Sequence, residues 1–245
     1  MPERKIAVIT GAAKRIGAAC VRLLHANGYD VLLHYRTSSE QVRQLADELN
    51  ARRSDSAYLH QADLLEMGQV VELAKYASAM AGGVDVLVNN ASLFYSGQIG
   101  QVSEHDWDKL MGANLKAPFF LAQALAPALM RRQGCIVNMV DIHAEKGLPG
   151  YPVYSIAKAG LVAMTKCLAK ELAPGVRVNA VAPGAILWPD HPLDEAQKTE
   201  ILQKIALQRC GDVEDIAKAV RFLAAEANYI TGHILTVDGG RMLYV

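Results

Sequence analysis

Thr10-Gly11-Ala12-Ala13-Lys14-Arg15-Ile16-Gly17 is the stretch that decides the fold. It closes an apolar run at residues 5–10 that reads as a short strand, and it opens a helical pattern at 15–27. Small residues between a strand and a helix let the backbone turn tightly and approach a pyrophosphate, which then lies at the positive end of the helix. The alternative is an ordinary βα turn. The strand-loop-helix context at the head of the chain favours a dinucleotide site.

Outward from that loop, β-rich apolar runs alternate with segments of helical period. Further strands are expected at 30–35, 57–61, 84–88, 135–140, 177–181 and 234–237, and helices at 39–52, 67–80, 105–131 and 151–172. The runs Val86-Leu87-Val88 and Cys135-Ile136-Val137 are continuously apolar, as in parallel strands covered on both faces. Strict alternation predicts an α/β, Rossmann-type doubly wound sheet. No repeat or linker divides the chain, so residues 1–245 are expected to form a single domain. Residues 185–194, with Pro189 and Pro192, are the least regular stretch and a candidate substrate lid before a polar helix.

Composition narrows the function classes. The chain has 245 residues, 51% hydrophobic, with formal net charge zero, so nothing points to a nucleic acid or an anionic membrane as partner. Cys20, Cys135, Cys167 and Cys210 are scattered, without metal-ligand spacing, and read as reduced thiols. No signal-peptide pattern or long apolar span is evident, so a soluble, cytoplasmic protein without a metal is expected.

The end of the second strand indicates which dinucleotide. NAD sites usually place an acidic residue there, against the ribose hydroxyls. Here the strand ends His34-Tyr35-Arg36-Thr37-Ser38, with no carboxylate. Arg36 can pair with a 2′-phosphate, and Lys14, Arg15 and Ser38 can add charge or donors, so NADPH is the expected cofactor.

Tyr154 and Lys158 stand four apart in a helical segment and share one face. A phenol titrates near ~10. A neighbouring ammonium favours the phenolate, so the lysine is expected to make the tyrosine a usable proton donor or acceptor.

With Thr10–Gly17, Asn89-Asn90-Ala91, Asn114, Tyr154-Ser155-Ile156-Ala157-Lys158, Pro183-Gly184 and Asp238-Gly239-Gly240, the chain resembles the short-chain dehydrogenase/reductase family over nearly its whole length. The resemblance implies about seven parallel strands and a homotetramer built on two long central helices. It implies cofactor contacts from Gly11, Lys14, Arg15, Ile16, Gly17, His34, Tyr35, Arg36, Ser38, Asp63, Leu64, Asn90, Ala91, Ser92, Tyr154, Lys158, Pro183 and Gly184. Lys158 would also hold the nicotinamide ribose, and Asn114 would anchor a water in a proton relay.

One departure is informative. Thirteen residues before Tyr154 the family normally has a serine that hydrogen-bonds a substrate carbonyl; this chain has Asp141. A carboxylate cannot donate to a carbonyl oxygen and would repel charge developing there. It suits a substrate with N–H groups or basic ring nitrogens, and burial is expected to favour its protonated form. That aspartate, Arg15 in place of a second glycine, His34-Tyr35-Arg36 and Asn90-Ala91-Ser92-Leu93-Phe94-Tyr95 resemble the pteridine reductase branch. There the pterin lies between the nicotinamide and an aromatic ring at the position of Phe94. Arg15, Ser92, Phe94, Asp141 and Tyr154 would then meet the substrate, with Asp141, Tyr154, Lys158 and Asn114 as the catalytic set. The expected function is reduction of a dihydropterin or biopterin, with dihydrofolate as a further candidate. A carbonyl reductase acting on a 3-oxoacyl thioester and a non-catalytic NADP(H) sensor are the alternatives.

Overall fold

In the computed structural model, which describes residues 4–80, 82–186 and 194–244, strand and helix alternate along the chain. The strands are β1 Lys5–Ile9, β2 Tyr29–Tyr35, β3 Ala57–Gln61, β4 Val86–Asn89, β5 Cys135–Met139, β6 Arg177–Pro183 and β7 Ile234–Val237. They form one parallel sheet in the order β3-β2-β1-β4-β5-β6-β7. The expected seven parallel strands are thus present, with ends shifted by one or two residues. At 84–88 the pairing starts later, because Asp85 spends its carboxylate on the amide of Ile6 at 2.7 Å.

Alternation along the strands divides the core. Ala7 and Ile9 of β1 face one side with Val31, Leu33, Val88 and Val137, under α1 Arg15–Ala26, α2 Ser39–Arg52 and α9 Val213–Ala225. Ile6 and Val8 face the other side with Leu32, Leu87 and Ile136, under α3 Met67–Ala79 and α5 Ala117–Arg131. Burial on both faces is why these strands read as continuous apolar runs. Each such Val, Ile or Leu contributes roughly 1.5–3 kcal/mol when fully buried.

Helix α9 was not singled out from the sequence, although its start carries a signal. Asp212 caps it in a capping box with Asp215, and Ile216, Val220 and Leu223 follow at helical spacing to fill the core. The helix expected at 105–131 is instead interrupted. α4 Glu104–Met111 passes into a wide π-helical turn, Gly112–Lys116, before α5. Inside that turn the Asn114 amide donates to the Leu110 carbonyl four residues back, at 2.9 Å. Pro118, just beyond, has no N–H to restore the regular ladder. α6 His143–Lys146 and α7 Pro152–Glu171 follow β5, and the polar α8 Glu195–Gln203 follows β6. The candidate lid falls largely on residues 187–193, outside the described residues.

β1 lies between β2 and β4, where the strand order reverses. Connections leaving β1 and β4 therefore part to opposite sides and open a crevice at the carboxyl edge of the sheet. Both halves of the site lie along this edge.

Candidate active site

Close packing dictates the glycines of the loop after β1. Gly11 has φ +63°, and a Cβ there would stand 2.9 Å from the Cα of Ala91. At Gly17 a Cβ would come 2.2 Å from the Gly11 carbonyl oxygen and 2.7 Å from Asn90 Nδ2. Asn90 belongs to this support: its Nδ2 donates to the carbonyls of Thr10 and Gly11 at 2.9 and 3.1 Å. Thr10 Oγ1 accepts from the amides of Asn90 and Ala91 at 2.9 and 3.0 Å. Arg15 takes φ +52°, the left-handed conformation that the family's second glycine would adopt freely. Its replacement of that glycine keeps the backbone shape and adds a cation to the cleft wall.

This edge fits NADPH. α1 starts without a capping side chain at Lys14 and with no acidic residue in its first turn, which leaves its positive end to an anion. Beside it lies a cavity of about 170 Å³ lined by Gly11, His34, Arg36, Asp63, Leu64 and Ser92, among others. Arg36 is exposed there, and Ser38 stands before α2 with its hydroxyl unused as a cap. The Tyr35 ring, in contrast, is packed into the core. Lys14 is exposed and lines neither cavity. Both ring nitrogens of His34 are engaged by the main chain, at Gly11 and Ala62.

Ser92 joins this cavity to a larger cleft of about 610 Å³. Arg15, Ile16, Asn90, Phe94, Asp141, Tyr154, Lys158, Pro183 and Gly184 all line it, so of the expected catalytic set Asp141, Tyr154 and Lys158 are brought together there and Asn114 is not. Tyr154 Oη donates to Asp141 Oδ2 at 2.8 Å. Asp141 Oδ1 also accepts the His143 backbone N–H at 2.8 Å and lies 2.8 Å from His143 Nδ1. Lys158, 2% exposed, donates to the Met139 carbonyl at 2.8 Å. Its ammonium lies 5.6 Å from the centroid of the Tyr154 ring.

These distances correct two expectations. Burial does push the Asp141 carboxyl upward, but hydrogen bonds from His143 and Tyr154 outweigh it and hold the group below the usual carboxylate range. Asp141 is therefore ionised, not a protonated donor. Lys158 was expected to set the acidity of Tyr154. Instead burial, followed by the charge and hydrogen bond of Asp141, raises the phenol above its ordinary value. Beyond burial, the carboxylate touches the hydroxyl while the ammonium faces the ring, so of the two charges the carboxylate acts on the phenol. Burial lowers Lys158 to about 8, against an opposing pull from Asp141.

Asn114 is fully buried and its amide is spent on protein: Nδ2 donates to Leu93 and Leu110 carbonyls at 2.9 Å, and Oδ1 accepts from Ser92 Oγ at 2.6 Å. The side chain secures Ser92 and the wide turn. Phe94 is 56% exposed and presents an aromatic wall to the cleft. One face stacks on Tyr151, with centroids 4.5 Å apart and planes inclined by 6°, and Tyr154 meets it edge-on at 4.8 Å. Tyr151 and His143 were both missed in the sequence. Tyr151 lies three residues before Tyr154 at helical spacing, which is a usable signal. His143 opens the one-turn helix α6, too short for apolar spacing to reveal which way its side chain points.

A dinucleotide crevice with a Tyr–Lys pair facing it defines the chain as a nicotinamide-dependent oxidoreductase. The chain belongs to the short-chain dehydrogenase/reductase family: residues 11–241 match the family model described as enoyl-(acyl carrier protein) reductase. It is 37% identical to the 3-oxoacyl-[acyl-carrier-protein] reductase FabG of Staphylococcus epidermidis, covering 96% of this chain and 98% of that one. It is 38% identical to pteridine reductase 1 of Leishmania tarentolae, covering 99% and 98%. Among solved structures, a blue fluorescent protein from a metagenomic library in complex with NADPH superposes with a TM-score of 0.90 at 38% identity, covering 97% of both chains. The protein is an NADPH-dependent reductase of this family. Among the described residues no helix is long and apolar enough to cross a membrane, and no cluster of side chains could hold a metal.

Proposed function

We propose that the enzyme is a pteridine reductase, acting on a dihydropterin or biopterin, with dihydrofolate as a further substrate. One observation carries this reading: an ionised Asp141 occupies the carbonyl-binding serine's position and is bonded to the Tyr154 hydroxyl. A carbonyl oxygen gaining negative charge needs donors, whereas the N–H groups of a pterin edge need an acceptor. Phe94 and Tyr151 add a flat aromatic wall for a planar heterocycle.

When bound, NADPH supplies the hydride that adds to a carbon of a ring C=N bond. Tyr154 holds the proton for the neighbouring nitrogen, so the double bond becomes C–H and N–H and the tyrosine is left as phenolate. Lys158, held at about 8, exchanges protons near neutrality and can return one. Asp141, kept ionised by His143, accepts from the substrate edge and orients Tyr154. Arg15 and Ser92 line the same cleft as further substrate contacts. From the family we also infer a homotetramer, which would cover the exposed Phe119 and Phe120 of α5 and Ile156 of α7.

A second reading, reduction of a 3-oxoacyl thioester, is favoured by the names of the staphylococcal relatives. NADPH oxidation with dihydrobiopterin, dihydrofolate and an acetoacetyl thioester separates the two. Pteridine turnover without thioester turnover is expected. A thioester reduced while both pteridines are ignored overturns the pterin assignment.

A further inference from the structure

His34 is 2% exposed, the penultimate residue of β2, whose neighbours Leu33 and Tyr35 fill the core. Its ring bridges two loops that sequence separates widely. Gly11 N–H donates to Nδ1 at 3.2 Å, and Nε2 lies 3.0 Å from the Ala62 carbonyl oxygen. A carbonyl only accepts, so Nε2 carries the hydrogen and Nδ1 offers its lone pair. One neutral tautomer satisfies both contacts. Gly11 and Ala62, with Asp63 beside it, both line the smaller cavity, where Arg36 is also exposed. Main-chain bonds flank the bridge on both sides, from Ala12 N–H to the His34 carbonyl at 2.9 Å and from Ala62 N–H to the Tyr35 carbonyl at 3.0 Å.

We propose that His34 is a positioning residue for NADPH: a neutral imidazole clamp that fixes the glycine loop against the loop after β3, and that protonation opens. A doubly protonated ring would set Nδ1–H against Gly11 N–H, two donors facing each other. Gly11 would then lose its acceptor while held by the tight packing against Ala91. The charged form is disfavoured in place, because burial lowers the imidazole to about 4. The Ala62 bond and Asp63 pull upward, and His60 of β3 pushes downward. Arg36 is the remaining charged side chain of the cavity wall besides Asp63. The direction follows from linkage: the native value lies below the ordinary 6.5, so the clamp is intact above about pH 6.5 and lost as pH falls through about 4.

The test measures NADPH affinity by fluorescence titration, independently of turnover. His34→Phe keeps a flat ring but removes both bonds, and an unpaired buried donor is costly, so NADPH Kd should rise about tenfold or more. kcat at saturating NADPH should stay near wild type. His34→Asn leaves an amide oxygen near the place of Nδ1 but not the bond to Ala62, so it should recover part of the affinity. Between pH 6 and 4, wild-type affinity should fall more steeply than that of His34→Asn, whose fall reports only the 2′-phosphate and other shared groups. This comparison decides even if His34→Phe does not fold. Equal acid profiles, or a folded His34→Phe that binds NADPH like wild type, would overturn the proposal, as would kcat falling in parallel with affinity.

Discussion

Replacing Asp141 by Asn tests the charge at the centre of the site while keeping its shape. The carboxylate faces three groups at 2.8 Å: the Tyr154 hydroxyl, the His143 backbone N–H and His143 Nδ1. Its amide counterpart has one accepting oxygen; with that oxygen on His143, the NH2 group faces Tyr154 Oη, and the tyrosine loses the charged acceptor for its proton. Loss of one charge-assisted bond corresponds to roughly 1.5–3 kcal/mol. Asp141 is held below its ordinary value, so its stabilising contribution is complete above about pH 4 and disappears as pH falls through the lower folded value. Urea denaturation should therefore show the Asn variant less stable at neutrality, converging on wild type in acid. Pteridine turnover should fall by ~100-fold or more, the scale typical of a misplaced proton donor. NADPH affinity should hardly change. An Asp141→Asn enzyme with wild-type pteridine kcat and an unchanged stability–pH profile would refute the role given to the carboxylate.

Other consequences follow from single residues. Arg36 directly follows β2, where NAD sites usually carry an acidic residue, so wild type should prefer NADPH to NADH by at least ~1.4 kcal/mol, a factor of ten. Arg36→Asp should shrink or invert that ratio in paired binding titrations. Tyr154→Phe should lose ~100-fold or more of turnover with NADPH binding nearly intact; half-maximal activity in this variant would place the acid elsewhere. Arg15 holds a left-handed backbone that costs a side-chain-bearing residue about 1–2 kcal/mol, partly offset by the greater freedom of unfolded glycine. Arg15→Gly should thus stabilise the fold by about 0.5–1 kcal/mol while weakening pteridine turnover, as read by urea denaturation and steady-state kinetics.

Local pattern made the strands, most helices, the glycine loop and the cofactor's phosphate legible in the sequence. Each is written within a few consecutive residues: apolar runs at β4 and β5, small residues at 10–17, and an arginine where an acid would otherwise stand. The Tyr154–Lys158 pair was legible for the same reason, since four residues on a helix fix a shared face. The break at Gly112–Lys116 was not, because Asn114 looks like an ordinary polar residue in a helical run until Ser92 and Leu93 approach it from another loop. Protonation also waited on the tertiary structure. Sequence put a carboxyl at Asp141 and suggested that burial would neutralise it; only the folded turn brings His143 onto it and reverses the outcome. At His34, which the resemblance named as a cofactor contact, only the fold shows the ring bonded to Gly11 and Ala62. Desolvation and hydrogen bonding depend on what surrounds a group in space, and the surrounding atoms come from segments whose order along the chain does not record their distance.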